Sequence, residues 1–171
     1  CTACDACHRT GGCVLGDDLL PLHQKLLDAD GLVFASPNYF RSVTAQMKTC
    51  IDRLGDVVHC QLFAGKYGCS VGTAGGPTGA EVTTYLTDTL LNFGAFVTGS
   101  VAASLAEGPD AFAAAEQKAT ALGHELVAAI AARKVYPDQQ ARHGKTAAYF
   151  RRLVDFNKDR WPYEYALWAR K

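Results

Sequence analysis

The sequence of 171 residues lacks an excess of charge of either sign, because 17 Lys and Arg balance 17 Asp and Glu. A net charge of zero provides no long-range field to attract nucleic acid or anionic lipid. Long hydrophobic runs are also missing. The longest, residues 31–36 and 95–103, fall short of the ~18 to 20 residues of a membrane-spanning helix. We therefore expect a soluble, single-domain protein that binds neither nucleic acid nor a membrane.

An initiator methionine and a signal peptide are missing as well, since the sequence starts at Cys1. We therefore expect the chain to be truncated at its N-terminus. Seven cysteines are an odd number for a disulfide framework, and four of them fall within residues 1–13. This distribution favours a metal site in a reducing, cytoplasmic compartment.

The first four cysteines, Cys1, Cys4, Cys7 and Cys13, form a Cys-x2-Cys-x2-Cys-x5-Cys motif. This spacing lets one short loop wrap several thiolates around a single inorganic cluster, and four thiolates complete a 4Fe-4S cluster. Gly11 and Gly12 supply backbone freedom before the last cysteine. A four-cysteine zinc site and thiols without a metal remain alternatives.

Strand and helix patterns alternate three times after the cysteine loop. A helix that follows Asp17 and Asp18 comes first. Strands are predicted over residues 31–36, 66–73 and 95–105, and amphipathic helices over about 44–55, 82–93 and 112–130. Repeated strand–helix units predict an α/β fold with an open parallel sheet. The compact run 31–36 is typical of a strand buried on both faces.

Ligands bind to such sheets at the loops that leave the carboxyl ends of the strands. We therefore expect the functional site at the loops that begin at Ser36 and Thr73. From residue 136 onward the composition becomes polar, basic and aromatic. We predict a domain over residues 1–135 and a C-terminal extension over 136–171, with a linker at 137–145 followed by a helical tail. The aromatic tail could cover a ligand, grip a partner subunit or pack on its own domain.

Two segments carry a family resemblance. The first runs from Asp30 through Ser-Pro-Asn-Tyr-Phe40 to Lys48 and Asp52-Arg53, and the second is Thr73-Ala-Gly-Gly-Pro-Thr-Gly79. Together they resemble the flavodoxin-like NAD(P)H-dependent FMN reductases. The four-cysteine loop narrows the resemblance to the iron-sulfur flavoprotein branch of that family.

The resemblance implies a flavodoxin-like parallel sheet with helices on both faces, FMN at its carboxyl edge, a nearby 4Fe-4S cluster and a homodimer or homotetramer. Because the cofactors carry the electron chemistry, no acid or base catalytic residue is expected. The expected cofactor-binding residues lie in the two loops: Ser36, Pro37, Asn38, Tyr39, Phe40, Thr73, Ala74, Gly75, Gly76 and Gly79. The expected metal ligands are the four cysteines of residues 1–13.

The sequence departs from the family pattern at its start. The first strands and the loop that holds the FMN phosphate would lie before Cys1. Without them, the strand at residues 31–36 is expected to become an exposed apolar edge.

The leading functional hypothesis is an FMN-dependent oxidoreductase that moves electrons between NAD(P)H or ferredoxin and a small acceptor such as a quinone, a flavin or an oxygen species. The alternatives are a non-enzymatic electron carrier or redox sensor and a cluster-free reductase. Several other residues are expected to have no role in binding or catalysis. Lys48 and Asp52 are expected to form a surface ion pair, His8 to be solvated, and His59 to be packed.

Overall fold

The computed structural model describes residues 1–171, and its centre is a parallel sheet of three strands in the order β1-β2-β3. The strands are β1 (Gly31–Pro37), β2 (Tyr67–Ala74) and β3 (Phe96–Ser104). The helices are α1 (Ala6–Thr10), α2 (Leu19–Asp28), α3 (Ala45–Asp52), α4 (Gly55–His59), α5 (Gly79–Asn92), α6 (Pro109–Ala131), α7 (Pro137–Phe156) and α8 (Pro162–Trp168). A 3-10 turn at Leu105–Glu107 precedes α6. The predicted α/β class and the three strand–helix units are confirmed.

The register of the sheet brings the functional loops together. Pro37 pairs with Thr73 across β1 and β2, and Ala74 pairs with Ser104 across β2 and β3. Because all three strands are parallel, their carboxyl ends meet at one edge. The loops after β1 and β2 therefore leave the sheet side by side, as the sequence predicts.

Helices cover both faces of the sheet with separate apolar cores. On one face, Leu32 and Phe34 pack with Leu86 and Leu90 of α5. On the other face, Cys69 and Val101 pack with residues of α6, among them Leu122. Adjacent side chains of a strand point to opposite faces, so a single strand contributes to both layers.

Strand β1 lies at the edge of the sheet, and its burial alternates along the chain. Val33 is 58% exposed, whereas its neighbours Leu32 and Phe34 are buried. The prediction of a strand buried on both faces is therefore wrong, and the prediction of an exposed apolar edge is confirmed. A short apolar run has the same composition in both settings, so its neighbours in the sheet decide its burial.

The C-terminal extension is helical, but it contains no linker at residues 137–145. Helix α7 begins at Pro137 and continues to Phe156, packing against α4 and α5. The linker prediction is wrong. Proline disrupts a helix when it lies in the helix interior, but at the first helical position its fixed φ favours the start of a helix. No helix of the structure is both long enough and apolar enough to span a bilayer.

Candidate functional site

The loops after β1 and β2 are joined by hydrogen bonds at the carboxyl edge of the sheet. The Asn38 backbone N–H donates to the Thr73 carbonyl at 2.6 Å, and the Asn38 side chain donates to the Thr78 carbonyl at 2.7 Å. An exposed ion pair between Arg41 and Glu81, 2.6 Å long, links the same two segments. Asn38 therefore links the two loops and fixes their relative positions.

A cleft of about 320 Å³ opens between these loops and the start of α6. Its walls are formed by residues of the two loops together with the side chains of Leu105 and Phe112. The loop residues are Pro37, Asn38, Tyr39, Thr73, Ala74 and Gly75. Ligand sites commonly have volumes of ~300 to 1,000 Å³ and mostly apolar walls with a few polar groups. Tyr39 and Leu105 are 64% and 67% exposed, so both surfaces are available to a planar ligand. The volume of the cleft lies within the range of ligand sites.

Six of the ten predicted cofactor-binding residues line this cleft, namely Pro37, Asn38, Tyr39, Thr73, Ala74 and Gly75. Phe40 follows directly after Tyr39 and is fully exposed, with φ at +51°. Gly76 follows Gly75, and its carbonyl accepts a hydrogen bond from the Ser104 hydroxyl at 2.7 Å. These two residues flank the cleft without lining it.

The remaining two predicted residues lie away from the cleft. Ser36 is buried, and its hydroxyl oxygen accepts a hydrogen bond from the Thr44 backbone N–H at 3.0 Å. Gly79 opens α5, where an added Cβ would lie 3.3 Å from that of Ala102. Ser36 therefore anchors the start of α3, and Gly79 allows α5 to pack closely on β3.

The four cysteines of the N-terminal loop line one pocket. Cys1, Cys4, Cys7 and Cys13 all face this cavity, and all four are free thiols. The cavity volume is about 70 Å³, several times the ~10 to 15 Å³ that a single water requires on this measure. Three left-handed residues, Ala3, Asp5 and Gly11, curl the loop around it. The structure therefore brings together the four residues that the sequence predicts as metal ligands.

The spacing of the sulfur atoms bears on which metal group fits. A tetrahedral zinc site with ~2.3 Å Zn–S bonds holds its sulfurs roughly 3.8 Å apart. The only set of three His, Cys, Asp or Glu ligand atoms within 4.8 Å of one another is His8, His59 and Glu164. No three of the four cysteine sulfurs therefore lie within 4.8 Å of one another, so the thiols are not arranged as a compact tetrahedral zinc site.

The charged and polar surroundings of the cysteines differ from one thiol to another. The Leu15 backbone N–H and the guanidinium of Arg53 lower the pKa of Cys13, and an Arg53 N–H donates to its Sγ at 3.1 Å. Burial raises the pKa of the Cys7 thiol instead. A depressed pKa favours the thiolate, which is the form that binds metals. Arg53 therefore favours the thiolate form of Cys13 at one side of the pocket.

Sequence reasoning missed a cluster of His8, His59 and Glu164 beside this pocket. The Glu164 carboxylate is fully buried and accepts hydrogen bonds from His8 Nδ1 at 2.5 Å and from His59 Nδ1 at 3.0 Å. These bonds lower the pKa of Glu164 in spite of the opposing effect of its burial. The expectation of a solvated His8 is wrong, because its side chain is only 14% exposed.

The indole of Trp161 stacks on His8 and His59, with ring centroids 4.6 and 5.0 Å apart. The aromatic tail therefore packs on its own domain. No local pattern reveals the cluster, since its members lie up to 156 residues apart in the sequence.

The surface pair agrees with its prediction, and two of the other cysteines are buried. Cys60 and Cys69 are buried, and burial raises the pKa of Cys60 to about 12. Lys48 and Asp52 form an exposed ion pair of 2.5 Å along α3. None of these residues lines the cleft, and of them only Asp52 lies at the cysteine pocket.

Comparison with known proteins gives consistent results. A curated iron-sulfur flavoprotein of Archaeoglobus fulgidus is 44% identical over 71 residues, which is 42% of this chain and 32% of that protein. A second iron-sulfur flavoprotein of the same organism is 35% identical over 83 residues, 47% of this chain and 43% of the relative. The chain thus spans a third to under half of the length of these relatives.

Among solved structures, the apo form of an NADH:FMN oxidoreductase superposes with a TM-score of 0.51 at 23% identity, covering 78% of this chain and 68% of the other. This likeness supports the flavodoxin-like fold. The family model described as NADPH-dependent FMN reductase matches residues 2–110, which include three of the four loop cysteines, both cleft loops and all three strands. The chain belongs to the NADPH-dependent FMN reductase family.

Proposed function

We propose that this chain is the cluster-bearing part of an FMN-dependent oxidoreductase that moves electrons between NAD(P)H or ferredoxin and a small acceptor such as a quinone, a flavin or an oxygen species. One observation carries the proposal: four free cysteines line one pocket in a chain of the FMN reductase family that also forms a cleft at the carboxyl edge of its sheet. The relatives named iron-sulfur flavoproteins support it.

Cys1, Cys4, Cys7 and Cys13 would hold a 4Fe-4S cluster, and the cleft loops would hold the FMN ring. When bound, the cluster transfers single electrons and the flavin transfers one or two, so together they connect a hydride donor with a one-electron carrier. The role of the protein is then to bind and orient both groups. This role needs no acid or base side chain in the cleft.

In the cleft, Tyr39, Leu105 and Phe112 would provide apolar contacts to a planar ring. The exposed backbone of Gly75 would provide polar contacts, since an added Cβ there would meet nothing within 4 Å. Asn38 contributes indirectly, because its hydrogen bonds to the second loop keep the two walls of the cleft at a fixed separation. Phe40, exposed beside the cleft, is available to a ring or to a second subunit.

Helix α3 connects the two candidate sites. Its cap residue Thr44 hydrogen-bonds Ser36 at the end of β1, and Arg53 follows its last turn at the cysteine pocket. Eight helical residues rise about 12 Å along the axis. Helix α3 therefore links the segment that follows β1 to the cysteine pocket.

The physiological form that we propose is a cytoplasmic homodimer or homotetramer, with a small-molecule acceptor and ferredoxin as a possible second partner. The exposed apolar groups beside the cleft, Tyr39, Phe40 and Leu105, would be covered in such an assembly.

The proposal is tested by anaerobic titration of the full natural protein with NADH and NADPH, with flavin absorbance as the readout. Reduction of the flavin and multiple turnovers with a quinone or ferricyanide are expected. Bound flavin that is reduced by dithionite, while neither nicotinamide reduces it and ferredoxin supports no turnover, would instead establish an electron carrier. Absence of bound flavin would contradict the proposal.

A further inference from the structure

The C-terminal segment, residues 157–171, lies across the cysteine loop. An Arg160 N–H donates to the carboxylate of Asp5 at 3.0 Å, at the residue that precedes α1. At the other end of α1, the ring of Tyr163 lies so close to Gly11 that an added Cβ would be 2.4 Å from it. Both ends of the short helix that carries Cys7 are therefore held by the tail.

Glu164 connects three parts of the chain at the centre of this contact. One carboxylate oxygen accepts from His8 of the cysteine loop, and the other accepts from His59 at the end of α4. The indole N–H of Trp168 donates to the His59 carbonyl at 3.0 Å, which ties the tail to the sheet domain a second time. The cysteine loop is thus fastened to the domain through one buried carboxylate.

Packing alone does not explain a charged group at this position. A buried carboxylate is costly unless hydrogen bonds compensate it, and apolar residues of the same volume would hold two surfaces together without that cost. What the carboxylate adds is direction, since each of its oxygens accepts along a defined line from one imidazole. His8 adjoins Cys7 and itself lines the cysteine pocket. The orientation of the His8 ring therefore bears directly on the loop that holds the thiols.

We propose that Glu164 is a positioning residue for the iron-sulfur cluster, and that it fixes the cysteine loop by orienting His8 against the C-terminal tail. This inference rests on the proposed function, because it assigns the tail a purpose toward the cluster. It also extends beyond the segment that defines the family, since the family model ends at residue 110 and Glu164 lies outside it.

The test compares Glu164→Gln and His8→Gln, singly and combined, in the full natural protein reconstituted anaerobically with iron and sulfide. Glu125→Gln, an exposed glutamate on α6, is the matched control. Four quantities are measured: flavin per chain, iron per flavin, the EPR spectrum of the reduced cluster, and hydrogen exchange of residues 1–13. Thermal melts identify variants that fail to fold.

We expect Glu164→Gln to keep its flavin and its melting temperature near that of the control, while iron per flavin falls by half or more. The EPR spectrum of the remaining cluster should change, and exchange in the cysteine loop should become at least tenfold faster. The double variant should lose no more iron than the worse single variant, because both changes break the same connection.

Wild-type iron content and EPR in Glu164→Gln would overturn the inference, as would fully additive losses in the double variant. If Glu164→Gln fails to fold, His8→Gln decides: normal iron content in that variant overturns the inference. A wild-type protein that binds flavin but no iron would contradict the cluster itself and therefore the proposed function. Hydrogen exchange in the variants would then still report whether the tail holds the loop.

Discussion

Arg53 Nη2 donates to the Sγ of Cys13 at 3.1 Å and to Asp17 at 3.0 Å, and Nη1 donates to Asp17 at 2.6 Å. The Arg53 side chain is only 6% exposed and lies at the end of α3. A cation held this firmly against a thiol stabilises the thiolate and, with a cluster bound, the more negative reduced state.

Replacement of Arg53 by Met should therefore lower the midpoint potential of the cluster. A hydrogen bond to a charged group is worth about 1.5 to 3 kcal/mol, and about 1.4 kcal/mol corresponds to 59 mV for a one-electron couple. Since the bond exists in both oxidation states, we expect a decrease of tens of millivolts. Potentiometric titration monitored by EPR measures it, with Arg142→Met as the control at a surface pair on α7. An unchanged midpoint potential would show that Arg53 does not influence the cluster.

The open space beside Gly75 leads to a second prediction. Gly75→Leu should fold normally, because its added Cβ meets no atom within 4 Å and its φ is not left-handed. A surface substitution of this kind usually changes stability by no more than ~0.5 kcal/mol. The leucine would project beside the cleft and should weaken FMN binding at least tenfold, measured by fluorescence titration of the deflavinated protein. Gly123→Leu, at an equally open position on α6, should bind FMN normally. Equal affinity in both variants would remove the second loop from the flavin site.

A third prediction concerns pH and His143 on α7. Its ring packs on Phe96 with centroids 5.2 Å apart, its Nε2 has no partner, and burial lowers its pKa. The unfolded chain therefore binds a proton at this residue before the folded chain does, so the contribution of His143 to the free energy of unfolding falls as pH drops below about 6.5.

One such histidine contributes at most about 1.4 kcal/mol per pH unit. In His143→Phe, the slope of the unfolding free energy against pH between pH 7 and pH 5 should differ from that of the wild type by up to about 1.4 kcal/mol per pH unit, measured by urea denaturation. His124→Phe, at an exposed position of α6, controls for the loss of a histidine. If both variants retain the wild-type slope, His143 is not the group that titrates.

The elements that the sequence predicts correctly are those with strong local signals. Periodic apolar residues and the glycine and proline residues at their ends predict all three strands, and parallel pairing then brings Asn38 and Thr73 together. The cysteine motif predicts its own pocket because its four residues lie within one short loop. These features depend on neighbours in the sequence.

The features that sequence reasoning missed depend on distant parts of the chain. The local sequence around Pro137 is compatible with a loop and with the start of a helix. The packing of α7 on α4 and α5 favours the helix. Val33 is exposed because it faces the α6 side of the sheet, where α6 packs mainly on β2 and β3. The contact of His8 with Glu164 requires the two ends of the chain to meet, which no spacing rule predicts.

The central claim is that Cys1, Cys4, Cys7 and Cys13 hold a 4Fe-4S cluster beside a bound flavin. The most direct test is the anaerobic ultraviolet-visible spectrum of the full natural protein and of Cys4→Ser, with iron, sulfide and flavin quantified in each. We predict about four irons and four sulfides per chain together with bound FMN in the wild type, and loss of iron with retention of FMN in Cys4→Ser. FMN without iron in the wild type, or equal iron in both proteins, would contradict the account.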